Sequence, residues 1–326
     1  MRLANLSSFN SRLLSAAAVA AASIAWAAVS HGGGPAPALE DQASVGYVHV
    51  PVVVHSSHGY VRDLRPKDFR LLVDGRPASF DSFETGATAP VRVVVLQDLS
   101  GSMANGGKLE ASRRAIGYLL DQARADDEFA LAWFAGDVFE IDVPFTSDLS
   151  AVREALATWE AYGTTALQDA VAWLPQITLG RSGVKRAAIL ITDGVDNAST
   201  IDADLAREIV RESELPVYVL GLGSGRLSTS GEEVYRFADM LGLLASLTGG
   251  RYQPLGAPEE LEQACAKILE DLRHQYVLGF STGGTGLARD HRLEVEVAGR
   301  GRRALAFRRG YHGFDPSPAS ATTTGR

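Results

Sequence analysis

The chain has almost no cysteine. Cys265 stands alone among 326 residues, which excludes an intramolecular disulfide and a cysteine-built metal centre. No cysteine follows the N-terminal apolar run, so lipoprotein processing is excluded as well. A chain without disulfides depends on its core, and this length is enough to bury one. Positive charge is not in excess: 31 Lys and Arg face 39 Asp and Glu, a formal net charge of −8. That balance gives no reason to expect a nucleic-acid partner, and it favours solubility and the attraction of cations. Long apolar runs are scarce too. The one that exists, Leu13–Val29, follows Arg2 and Arg12 and contains the small-x-small pattern Ala25-Trp26-Ala27. Residues 1–30 therefore read as an export signal. An uncleaved single-span membrane anchor is the alternative, because the run is at the low edge of the ~17–25 residues that span a bilayer. The expected location is outside the cytoplasm: periplasmic, cell-surface or secreted.

What is present is organised around residues 91–103. Val91, Val93, Val94, Val95 and Leu96 form a β-branched run that reads as a strand buried on both faces. It ends in Asp98, Ser100, Gly101 and Ser102, followed by Gly106-Gly107 and a helical pattern. Ligands of open α/β sheets bind at the carboxyl ends of central strands. Here that end carries Asp-x-Ser-x-Ser, one carboxylate and two hydroxyls on a tight loop, which suits a small hard cation such as Mg²⁺. Two distant stretches can complete such a site. Residues 163–171 form a loop that feeds a helix, with Thr165 at its mouth. Residues 187–193 read as a second buried strand that ends in Asp193 and Gly194.

Asp98, Ser100, Ser102, Thr165 and Asp193, in that order, resemble the metal-ion-dependent adhesion site (MIDAS) of von Willebrand factor type A (VWA) domains. The likeness covers about residues 89–274. It implies a doubly wound, mostly parallel six-stranded sheet flanked by helices. It also implies that these five residues hold Mg²⁺ or Mn²⁺. Ser100 and Ser102 would ligate directly, Asp98 and Asp193 directly or through water, and Thr165 according to conformation. Neutral hydroxyl ligands leave such an ion electrophilic toward an Asp or Glu carboxylate of a partner protein. The implied function is divalent-cation-dependent protein binding, as in adhesion. A cell-envelope structural or assembly scaffold is the alternative, and a metal-dependent hydrolase is a third reading. One departure is Gly163-Thr164-Thr165, where the family often has Gly-Gly-Thr; it removes no ligand. Asp169 also falls on a frequent family position, and it reads here as an acid that braces the loop rather than a site residue. Taken singly, Asp and Ser at such junctions are ordinary caps and turn residues.

The rest of the chain frames that site. Residues 31–44, rich in Gly and Pro, read as a linker. Residues 45–88 are β-rich, with Pro51 marking an edge or bulge and Asp74-Gly75 marking a hairpin. Strands and helices then alternate as a wrapped parallel sheet requires. Helices are expected at 109–123, after the cap Asp148, from Thr165 to near Pro175, at 202–214, at 235–247 and at 258–273. Residues 275–313 return to strands. Neither β flank is long enough to bury a core alone, so the two are expected to pair as a small β-sandwich. Asp68-Phe69, Val73-Asp74-Gly75 and His274–Phe280 resemble the flanks of secreted bacterial VWA proteins. Residues 314–326 read as a disordered tail.

The chain is not expected to be an enzyme. A haloacid dehalogenase-type phosphatase needs an Asp where Ser100 stands. Gly221-Leu-Gly-Ser-Gly225 has Arg226 in place of the third glycine of a dinucleotide loop. No Gly-x-Ser-x-Gly elbow occurs. His49, His55 and His58 lack a fourth zinc ligand. The basic group Arg300, Arg302, Arg303, Arg308 and Arg309 reads as a solvated sheet face.

Overall fold

The computed structural model describes residues 47–85, 90–177, 185–194, 196–211, 215–222, 240–246, 248–282, 290–299, 301–306 and 310–312. The apolar run Leu13–Val29, the linker 31–44 and the tail 314–326 lie outside the described residues.

An α/β body occupies the middle of the chain. Its strands are β6 (Val91–Asp98), β7 (Glu128–Ala135), β8 (Val138–Thr146), β9 (Lys185–Thr192), β10 (Val217–Leu222) and β11 (Tyr252–Leu255), arranged β11-β10-β9-β6-β7-β8. All neighbouring pairs are parallel except β7 with β8. The helices are α1 (Lys108–Asp121), α2 (Leu149–Thr158), α3 (Leu167–Ile177), α4 (Ala203–Arg211) and α5 (Glu260–His274), and residues 240–246 are also helical.

The central strand shows why the sheet is wrapped. Side chains on a strand alternate between faces, and β6 is apolar on both. Val91, Val93 and Val95 join a core with Leu109, Ile116 and Leu119 of α1, Val152 of α2 and Ile268 of α5. Val94 and Leu96 join a second core, on the other face, with Leu167, Val171 and Leu174 of α3 and with Leu241 and Leu244. Six of the seven residues Val91–Gln97 pair in register with both β7 and β9, so β6 is the most enclosed strand.

Among the described residues the expected boundaries hold to within a few residues, with two instructive departures. The sixth strand, β11, escapes the sequence pattern because Tyr-Gln-Pro-Leu is short and contains Pro254. A proline is tolerated there because β11 is an edge strand. Helix α3 runs through Pro175 to Ile177; a proline in the last turn sacrifices one backbone bond near an end that is already losing them. Asp148 caps α2 as anticipated, accepting from the amides of Ser150 and Ala151.

Strands before and after this body pair with one another. β1 (Tyr47–Ser56), β2 (Gly59–Tyr60) and β5 (Ser82–Glu84) form one sheet with β12 (Tyr276–Ser281) and β14 (Arg303–Ala306). β3 (Phe69–Val73) and β4 (Arg76–Ala78) form another with β13 (Asp290–Val297) and β15 (Gly310–His312). One apolar core, including Val50, Val52, Leu71, Leu278, Phe280 and Leu293, joins both sheets. Pro51 pairs with Val277 of β12, while among the described residues β14 pairs with β1 from Val52 onward. Asp74 and Gly75 turn the β3–β4 hairpin with positive φ of 50° and 75°, the requirement of a type I′ turn.

Candidate functional site

The site is built where β6 and β9 end. Asp98 is the last residue of β6, fully buried, with its two oxygens divided between two donors. Oδ1 accepts the Ser100 amide at 2.8 Å, and Oδ2 accepts the Thr192 hydroxyl at 2.6 Å. Burial pushes the Asp98 carboxyl above the usual carboxylate range, aided by the charge of Asp193 and opposed by these hydrogen bonds. Ionised, it is a desolvated anion that gains from any nearby cation.

The loop beyond it is stitched to its neighbours through backbone. Leu99 donates to Phe134 at 2.9 Å and accepts from Tyr162 at 2.7 Å; Gly101 donates to Gly163 at 3.0 Å; Gly136 donates to Thr164 at 2.7 Å. Leu99 and Met103 anchor the loop in the core. Gly106 and Gly107, both with positive φ, then turn the chain into α1 through a left-handed conformation that side chains resist.

The stitching brings the oxygens together. Ser100 Oγ lies 3.1 Å from Ser102 Oγ, and the Ser102 hydroxyl donates to Asp193 Oδ1 at 2.7 Å. Asp193 follows β9 and is buried. Thr165, also buried, lies beside it: a Cβ on Gly194 would come within 2.9 Å of Thr165 Oγ1. Glycine at 194 thus leaves the threonine hydroxyl its place. All five residues expected from the sequence therefore sit at one mouth, four of them along a continuous run of hydrogen bonds or close hydroxyl contacts and Thr165 alongside.

Five side chains at the mouth were not anticipated. Lys108, the first residue of α1, places its ammonium on Asp193 Oδ2 and 3.4 Å from the Ser102 carbonyl. Asn197 accepts the Thr165 amide at 2.9 Å and fixes the loop that carries it. Asp196 and Ser199 cap the start of α3 by accepting the Gln168 amide. Thr192 holds Asp98. Lys108 had a readable signal, since it directly follows the Gly-Gly turn. The others depend on a loop fold that spacing does not reveal. Asp169 accepts the amides of Thr200 and Ile201 and so braces that loop. Among the described residues no three His, Cys, Asp or Glu side chains gather to hold a metal. His49, His55 and His58 do not form such a group, and Cys265 is buried with its thiol pushed up to about 12 by that burial. The mouth is instead a mixed set of carboxylates and hydroxyls, hard oxygens with one lysine ammonium lodged among them.

A mostly parallel α/β sheet wrapped by helices, with an oxygen-lined mouth at its strand ends, has the layout of the doubly wound class. Residues 93–195 match the model of the von Willebrand factor type A domain, and that part of the α/β body is similar to such a domain. No curated protein matches the chain. Among solved structures, the BatB protein of Bacteroides thetaiotaomicron is 22% identical, over 56% of this chain and 98% of that one, with a TM-score of 0.45. A von Willebrand factor type A protein of Catenulispora acidiphila is 15% identical, over 83% of this chain and 74% of that one, with a TM-score of 0.49. Proximal thread matrix protein 1 of the mussel byssus, solved with zinc in its MIDAS motif, is 16% identical, over 61% of this chain and 49% of that one, with a TM-score of 0.48.

Proposed function

We propose that the chain is an exported protein-binding module whose mouth holds a divalent cation, Mg²⁺ or Mn²⁺, and through it a carboxylate of a partner protein. The observation that carries this reading is the convergence of Asp98, Ser100, Ser102, Thr165 and Asp193 on one mouth. The set fits the ion: its donors are hard oxygens, and it already accommodates a cation, the Lys108 ammonium, against Asp193. Ser100 and Ser102 would offer hydroxyl oxygens, Asp98 and Asp193 would supply the negative charge, and Asn197 would hold Thr165 at the rim. Bound there, the ion supplies an electrophilic position for an outside Asp or Glu. The export run at residues 13–29 supports a place outside the cytoplasm, and we assign the chain no catalytic role.

The test is a panel of short peptides with one central Asp or Glu, scored in Mg²⁺ and in chelator, against counterparts carrying Asn or Gln. Binding should require both cation and carboxylate and should vanish in Asp98→Ala. Undiminished binding in chelator would contradict it. The second reading, an envelope scaffold that needs no metal, is favoured by one observation: Lys108 already meets the charge of Asp193 within the chain.

A further inference from the structure

The position of Lys108 implies more than a surface ion pair. Its ammonium sits on Asp193 Oδ2, while Oδ1 of the same carboxylate takes the Ser102 hydroxyl at 2.7 Å. The Asp193 side chain is 1% exposed and the Lys108 side chain 23%. The acid is therefore fixed in the protein, and the lysine head is the mobile partner, on a flexible stem that reaches solvent. The other acid, Asp98, has both oxygens taken by a backbone amide and a hydroxyl and faces no cation in these contacts. The tethered positive charge thus lies on Asp193 alone.

We infer that Lys108 is a built-in counter-cation of the site, which a divalent ion must displace from Asp193 in order to bind. The inference rests on the metal reading above and goes beyond it, because it sets the affinity of the site and names what moves. Without metal, the ammonium keeps the buried carboxylate of Asp193 compensated, so the mouth holds its shape when empty of divalent ions. With metal, two cations cannot share one carboxylate without repulsion, and the lysine head swings to solvent. The cost of that exchange weakens metal binding. A charge-assisted hydrogen bond to a buried carboxylate is strong enough to shift affinity by about tenfold.

The experiment titrates Mg²⁺ and Mn²⁺ by calorimetry into the wild-type chain, Lys108→Met and Lys108→Arg. The rate at which an amine-reactive acetylating reagent labels Lys108 in the wild type is followed in parallel. Lys108→Met, which keeps the apolar stem and removes the charge, should bind metal about tenfold more tightly. Lys108→Arg should stay close to wild type, and Mg²⁺ should speed labelling of Lys108. Binding detectable only in Lys108→Met would also support displacement. Equal or weaker binding by Lys108→Met, with the wild type binding metal, would overturn the inference and leave the metal reading standing. Labelling slowed or unchanged by bound metal would do the same. No binding in any of the three proteins, with labelling indifferent to metal, would overturn both.

Discussion

The two ends of the central sheet handle charge in opposite ways. At the amino ends of the strands, buried acids meet dedicated cations. Asp127, with its side chain fully buried, accepts the amides of Val91 and Arg124 and pairs with Arg273 at 2.7 Å. Asp271 takes the Tyr60 hydroxyl at 2.7 Å and faces Lys267 and Arg251. Lys185 donates to the Leu272 carbonyl at 2.7 Å. These contacts hold the end of α5, and Tyr60 ties the β module to it by packing between His55 and His274. At the carboxyl ends, Asp98 takes the Thr192 hydroxyl, and Asp193 takes the Ser102 hydroxyl and the Lys108 ammonium. One end is neutralised to hold the fold together; the other carries the buried oxygens that we propose hold a divalent cation.

Breaking the amino end should have the largest effect. Asp127→Ala removes the acceptor of two amides and strands the Arg273 guanidinium, so unfolding in urea should show a loss of about 3–5 kcal/mol. At the carboxyl end, Asp98→Ala loses two hydrogen bonds but also a desolvated charge. Its metal-free stability should fall by only about 1–2 kcal/mol. The larger consequence should be ligand-linked: Mg²⁺ at ~100 times its dissociation constant should stabilise the wild type by about 2.7 kcal/mol and the variant not at all.

A pH experiment sharpens the comparison. Burial pushes Lys185 down from 10.5 to about 7, opposed by the charge of Glu84. The folded chain therefore binds fewer protons at this group than the unfolded chain between those values. Its contribution to stability should rise with pH across that window, by up to about 1.4 kcal/mol per pH unit. Below about 7 the lysine is charged in both states and the slope disappears. Lys185→Met should lack the slope, which denaturant midpoints for the two proteins at several pH values would show. The smallest effect belongs to an exposed cap outside both charge clusters: Asp148→Ala should cost about 1 kcal/mol, with metal binding unchanged.

Much of this was legible in the sequence, for identifiable reasons. The double-faced burial of β6 follows from Val91–Leu96, and the alternation of strands and helices follows from apolar period. The five oxygen-bearing residues were legible because each sits at a strand end or loop mouth, where the fold class places ligands. What escaped was set by contacts across the chain. Pro254 masked β11, whose place depends on pairing with β10. The grip of Thr192 on Asp98, of Asn197 on Thr165 and of Lys108 on Asp193 spans 94, 32 and 85 residues of chain, and no local pattern encodes such distances. The clamp of Arg273 on Asp127, 146 residues apart, was missed for the same reason.

The most direct measurement is calorimetric titration of Mg²⁺ into the wild-type chain and into Asp98→Ala. The account predicts saturable binding in the wild type and none in a variant that remains folded. Equal binding in both, or no binding in a folded wild type and in Lys108→Met alike, would contradict the claim that the carboxyl end of the sheet is a cation site.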